Sequence, residues 1–71
     1  MSHITGPELS PQELKVLKYI VKGDSSSEIG KRLELSVRTV ESYRQNIKRK
    51  TYTKNVAQLI IYAIKHDLVN I

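Results

Sequence analysis

Four times in 71 residues this chain spells out the start of a helix, which leaves little room for any other structure. Ser10-Pro11-Gln12-Glu13 is a Ser-x-x-Glu capping box with proline at the first helical position, where a missing N–H costs nothing. Ser25-Ser26-Ser27-Glu28 repeats the pattern, Ser36 supplies a third N-cap, and Asn55-Val56-Ala57-Gln58 supplies a fourth with Gln three residues on. The first helix carries Leu14, Leu17, Ile20 and Val21 as an apolar stripe, with Lys15, Lys18 and Lys22 outside it, and Gly23 closes it. A short second helix runs through Ile29 and Leu33. Its Gly30 gives up about 1 kcal/mol of helix propensity against Ala, so close packing by a neighbouring helix is expected there. Glu34-Leu35-Ser36 makes a three-residue turn into a third helix from Val37 to about Lys50, and the fourth runs to about His66.

With no strand pattern and no internal repeat, the expected class is all-α. The architecture is a four-helix bundle containing a helix-turn-helix, with residues 9–71 as one domain. Residues 1–8 have no periodicity and contain the Gly6-Pro7 breaker; they read as a linker end or a remnant of cloning. The linker reading makes this chain a piece of a longer protein.

Composition narrows the chemistry. Hydrophobic residues are 39% of the chain, too many for a disordered basic tail. The sequence has no Cys, so disulfides, thiolate nucleophiles and Cys-ligated zinc are excluded. His3 and His66 stand at opposite ends, which argues against a shared metal site. The longest apolar stretch is interrupted by Lys65 and is too short to span a bilayer, and no signal peptide is evident. A cytoplasmic location, no cofactor and no enzymatic activity are expected. No nucleophile–base pair or phosphate loop is present, and the capping box accounts for Glu13 without any catalytic role.

Charge points more sharply. Between Ser36 and Lys54 stand Arg38, Arg44, Lys48, Arg49, Lys50 and Lys54 against the single acid Glu41. That window carries +5, equal to the net charge of the whole chain, because the other six bases and six acids cancel. At 100° per residue, Val37, Val40, Ile47 and Thr51 gather on one side of the third helix. Arg38, Ser42, Gln45 and Arg49 form the opposite stripe, flanked by Glu41, Asn46 and Lys48. Such a face suits the major groove of a DNA duplex: Arg donates to guanine, Gln reads adenine, Ser is tolerant, and Glu41 can accept from a cytosine amino group. Ser36 and Thr39, beside the free N–H groups of the helix start, suit phosphate. Lys48, Lys50 and Lys54 suit tracking of the backbone. A solvated basic face is the plain alternative, but the charge localisation, the helix–turn–helix spacing and the polar stripe all agree on the polyanion.

Four segments in order resemble a known family. Leu9 to Leu17 resembles the opening helix of the LuxR/NarL/FixJ-type DNA-binding domain, and Glu28 to Leu33 its scaffold helix. Ser36 to Ile47 resembles its recognition helix, and Tyr62 to Val69 its closing helix. The resemblance implies a helix-turn-helix output domain of a bacterial transcriptional regulator, often preceded by a signal-receiving domain. It implies base contacts at Glu41, Ser42 and Gln45, and phosphate contacts at Ser36, Arg38, Thr39 and Lys50. It also implies a homodimer on a double-stranded, inverted-repeat operator, joined through the fourth helix, with RNA polymerase a further candidate partner. That helix is apolar around more than half its circumference. Leu59, Tyr62, Ala63 and His66 share one stripe and are the candidate dimer surface; the alternative is that this stripe is core and the opposite side faces solvent.

The chain departs from the family pattern in several places. Thr51 and Thr53 replace aliphatic residues in the turn after the recognition helix, Val56 replaces a common Arg, Asp67 a common Gly, and Tyr43 a frequent His. Two hydroxyls there are expected either to loosen the junction or to be covered by Tyr52 folding back. Two other functions fit a basic helix: a sigma-factor promoter-reading domain, and a small helical adaptor that binds an acidic protein.

Overall fold

A computed structural model describes residues 9–69. The linker reading of residues 1–8, and the last two residues of the expected domain, lie outside the described residues. Four helices appear in the expected places: α1 (Pro11–Lys22), α2 (Ser26–Leu33), α3 (Val37–Thr51) and α4 (Val56–Lys65). Their starts are set by the predicted caps. Ser10 Oγ accepts from the Glu13 N–H at 3.1 Å while Glu13 Oε1 accepts from the Ser10 N–H at 2.8 Å. Ser25 and Glu28 repeat both bonds at the same distances. Ser36 Oγ accepts from the Thr39 N–H at 3.1 Å, and Asn55 Oδ1 from the Gln58 N–H at 2.9 Å. Gln58 reaches one residue further back than a capping box requires, accepting from the Lys54 N–H.

The helix ends share one device. A residue past each helix turns left-handed (the first one after α1, α2 and α3, the second after α4), and the N–H after it reaches five residues back to a carbonyl: Asp24 to Tyr19, Leu35 to Gly30, Thr53 to Lys48 and Leu68 to Ala63. Only α1 uses glycine for this turn. The other three place Glu34, Tyr52 and Asp67 at φ of 57–59°. Side chains rarely adopt that conformation because Cβ crowds the backbone.

The core is one cluster made by all four helices: Val16, Leu17 and Ile20 of α1, Ile29 of α2, Val40 and Ile47 of α3, and Leu59 and Ala63 of α4. The expected stripe on α1 is displaced by a fraction of a turn, since Val16 is fully buried while Leu14 and Val21 are half-buried at its edges. Val37, expected inside, is largely exposed on the first turn of α3.

Two further expectations change. Gly30 is not lined by a neighbouring helix: a methyl group there would lie 2.5 Å from the Leu35 carbonyl oxygen, in the turn that leads into α3. The small residue lets that turn fold back on the end of α2. The hydroxyls after α3 do not loosen the junction either. Buried Thr51 donates to the Ile47 carbonyl at 2.8 Å, and its oxygen lies 2.9 Å from Thr53 Oγ1, so the pair satisfy each other. Tyr52 does not fold back; it stands 93% exposed.

Candidate nucleic-acid interface

The short α2, the tight turn at Glu34–Ser36 and the longer α3 define a helix-turn-helix, and the packing of α3 decides what it offers. Val40, Ile47 and Thr51 seat it on the core, which turns Arg38, Ser42, Gln45 and Arg49 outward together. All four are exposed. Among the described residues, the ion pairs are Arg32–Asp24 and Lys50–Glu13, both at about 3 Å. Arg38, Lys48 and Arg49 therefore hold charges paired with no described acid along about 16 Å of this face and its flank, while half-buried Arg44 lies on the side of Val40 and Thr51. Arg49 Nη2 donates to Asn46 Oδ1 at 2.9 Å, which steadies its guanidinium.

The start of α3 carries the hydroxyls. Ser36 Oγ accepts from the Thr39 N–H and donates to Thr39 Oγ1 at 2.9 Å, so the Ser36 proton is used within the cap. The Thr39 proton remains the free hydroxyl donor at this helix end. Glu41 lies on the flank towards α2, where one carboxylate oxygen accepts from Ser26 Oγ and the other stays open. That bond ties the recognition helix to the first turn of α2.

Lys50 differs from the role expected of it. It lies on the flank that meets α1, where its ammonium is 2.9 Å from Glu13 Oε1, with only about a third of its side chain exposed. Glu13 itself is buried, and its burial and two neighbouring groups shape its charge. Burial pushes its carboxyl upward, the Lys50 ammonium and the Ser10 N–H pull it down, and the net result is a pKa below the usual carboxylate value. One carboxylate thus caps α1 and anchors the last turn of α3. Lys50 is primarily an anchor, and its charge is largely spent inside the domain.

The expected dimer stripe splits in two. Leu59 is 1% exposed and Ala63 0%, both in the chain's own core, and Tyr62 stacks on His66 with ring centroids 4.2 Å apart beside it. Leu59 and Ala63 cannot serve a partner while they fill this core, which corrects their assignment and favours the alternative orientation of α4. The opposite side is apolar as well: Ile61 is 65% exposed and Ile64 48%, and with exposed Ala57 they fall within about 60° of arc. Both faces of α4 are apolar in sequence, so its pattern could not decide which was core. Tyr52, expected to fold back over the junction, is the other residue that stands elsewhere. Seven residues beyond Gln45, it continues the outward stripe by two turns, a register visible once the helix end is fixed.

Comparison with known proteins agrees with this geometry. A profile described as "Bacterial regulatory proteins, luxR family" matches residues 7–63. The chain belongs to the luxR family of bacterial regulatory proteins, whose helix-turn-helix domain serves DNA binding in transcription regulation. It is 39% identical over 62 residues to the oxygen regulatory protein NreC of Staphylococcus carnosus, covering 87% of this chain and 29% of that protein. To the probable transcriptional regulator ycf29 of Porphyra purpurea it is 37% identical over 62 residues, covering 87% and 30%. Among solved structures, it matches Vibrio cholerae VqmA, described as a dimer without its target DNA and as a LuxR-type receptor. The TM-score is 0.82 at 26% identity, covering 86% of this chain and 28% of that one. The chain spans less than a third of the length of these curated relatives. Family membership removes the ground for the sigma-factor reading. Among the described residues, no helix is long and apolar enough to cross a membrane.

Proposed function

We propose that this domain recognises a specific double-stranded DNA site as the output domain of a bacterial transcriptional regulator, with α3 in the major groove. The observation that carries this reading is the exposed stripe Arg38–Ser42–Gln45–Arg49, held outward by the buried side of α3 and opposed by no described acid. Gln45, and either arginine, can each make two hydrogen bonds to a base edge, worth about 1–3 kcal/mol of discrimination apiece. Ser42 and Glu41 complete the base-facing set. The Thr39 hydroxyl and the first N–H groups of α3 suit phosphate, as does Lys48 on the flank, while the Ser36 hydroxyl is occupied in the cap.

Dimerisation completes the reading. The exposed Ala57–Ile61–Ile64 face of α4 is the surface for it, in place of Leu59 and Ala63, and the stacked Tyr62 and His66 stay on the other side of the helix with those two. A two-fold dimer sets its recognition helices about 34 Å apart and reads an inverted repeat.

Selection of bound sites from random duplexes, run with wild type and with Gln45→Ala, tests the assignment. Wild type should enrich a palindromic motif, and the variant should relax one position in each half-site. Equal loss by Gln45→Ala on selected and random duplexes would remove Gln45 from the base-reading set.

A further inference from the structure

Tyr52 combines three properties that its neighbours do not share. Its backbone is left-handed, with φ 57° and ψ 36°; its ring is 93% exposed; and it borders a shallow concavity of about 490 Å³ with Gln45, Lys48, Arg49, Thr53 and Lys54. The backbone conformation alone does not single it out, because Glu34 and Asp67 end their helices in the same way. Those two are polar side chains comfortable in water. Tyr52 is a large aromatic with nothing to pack against, placed where three cations meet. A costly conformation carrying an unsatisfied side chain beside a functional surface points to a partner that the free domain lacks.

The partner's chemistry follows from position. Tyr52 lies about 10 Å along the helix axis from Gln45, and the major groove is about 12 Å wide. If α3 brings Gln45 to base edges on the groove floor, Tyr52 arrives at the groove wall, where the phosphates run. The concavity offers what a phosphate and its sugar need: positive charge from Lys48, Arg49 and Lys54, a phenol O–H to donate, and an aromatic face for the apolar side of a deoxyribose.

We propose that this concavity seats a backbone phosphate and its deoxyribose, with the Tyr52 hydroxyl donating to a phosphate oxygen. The proposal rests on the DNA-binding reading above and adds a contact after the end of the recognition helix. Because the contact goes to backbone, it strengthens binding to all sequences alike and carries no base preference.

Two variants of the 71-residue chain test it, each measured against the selected duplex and a random duplex, with thermal unfolding in parallel. Tyr52→Phe keeps the ring and removes the donor; binding should weaken about three- to tenfold on both duplexes, with the unfolding temperature unchanged. Tyr52→Gly relieves the left-handed backbone, so the domain should unfold at a higher temperature and yet bind at least as weakly as the Phe variant. Opposite movements of stability and affinity are what a purely structural tyrosine would not give. Binding of both variants within twofold of wild type would overturn the proposal while leaving DNA recognition intact. Loss confined to the selected duplex would overturn it as well, since that is the behaviour of a base reader. Failure of the wild-type chain to bind any duplex would overturn both readings together.

Discussion

Gly30→Ala should destabilise the domain although alanine is the better helix former, and the size of the effect can be worked from the turn. An added methyl would lie 2.5 Å from the Leu35 carbonyl oxygen, about 0.9 Å inside the 3.4 Å at which ordinary contacts begin. The obstacle is backbone, which cannot swing aside like a side-chain end. Opening the turn by that distance would stretch the 2.8 Å bond from the Leu35 N–H to the Gly30 carbonyl beyond useful length. Overpacking of this kind costs about 1–3 kcal/mol and the lost bond about 1 kcal/mol, against a gain of about 1 kcal/mol in helix propensity. The net expectation is a loss of roughly 1–3 kcal/mol, which in a domain of this size lowers the unfolding temperature by roughly 5–20 °C. Circular dichroism at 222 nm during heating and urea titration measures both quantities. The same turn sets the angle between α2 and α3, so duplex affinity should fall even at temperatures where the variant is fully folded. A Gly30→Ala protein as stable as wild type would show that the turn yields freely, and the account of Gly30 would be wrong.

Other expectations concern the anchor and the fourth helix. Glu13→Gln keeps an acceptor for the Ser10 N–H but removes the charge facing Lys50, and should cost about 1–2 kcal/mol at neutral pH, moderated by the partial exposure of Lys50. Because the folded-state pKa of Glu13 is depressed below its unfolded value near 4.5, its contribution is fully present above that pH and is lost as pH falls through the folded value. Urea titrations of the two proteins across the acid range should therefore converge below about pH 4.5; a gap that stays constant there would contradict the ion pair. Leu59→Ala should cost about 2–5 kcal/mol by opening a cavity in the core. Ile61→Asp should leave the unfolding free energy within about 0.5 kcal/mol while abolishing association on a two-site duplex in sedimentation. The reverse pattern would return Leu59 to the dimer surface.

Most of the fold was legible because it is written in local chemistry. Ser10, Ser25, Ser36 and Asn55 are side chains that satisfy the first N–H groups of a helix, and all four do so. The outward stripe of α3 was legible for a related reason: its polar and apolar residues separate cleanly at helical spacing. Legibility failed where two partners compete for one residue. Lys50 has the same sequence signature whether it reaches for phosphate or for Glu13, 37 positions away, and only the packing of α1 on α3 brings that carboxylate within 2.9 Å. In α4 both sides are apolar, so Leu59 and Ala63 could not be told from Ile61 and Ile64 without knowing which side meets α1 and α3. Gly30 announced a close approach but not its source, because the Leu35 carbonyl belongs to a turn whose path depends on the left-handed Glu34.

Titration of the isotopically labelled chain with its selected duplex, followed by amide and side-chain nuclear magnetic resonance, asks where DNA lies on the molecule. The largest shifts should fall on Arg38, Thr39, Ser42, Gln45 and Arg49, continuing to Tyr52 and Lys54, with Lys15, Lys18 and Lys22 of α1 nearly unmoved. Shifts centred on those α1 lysines, with the outward stripe of α3 silent, would mean that α3 is not the surface that meets DNA.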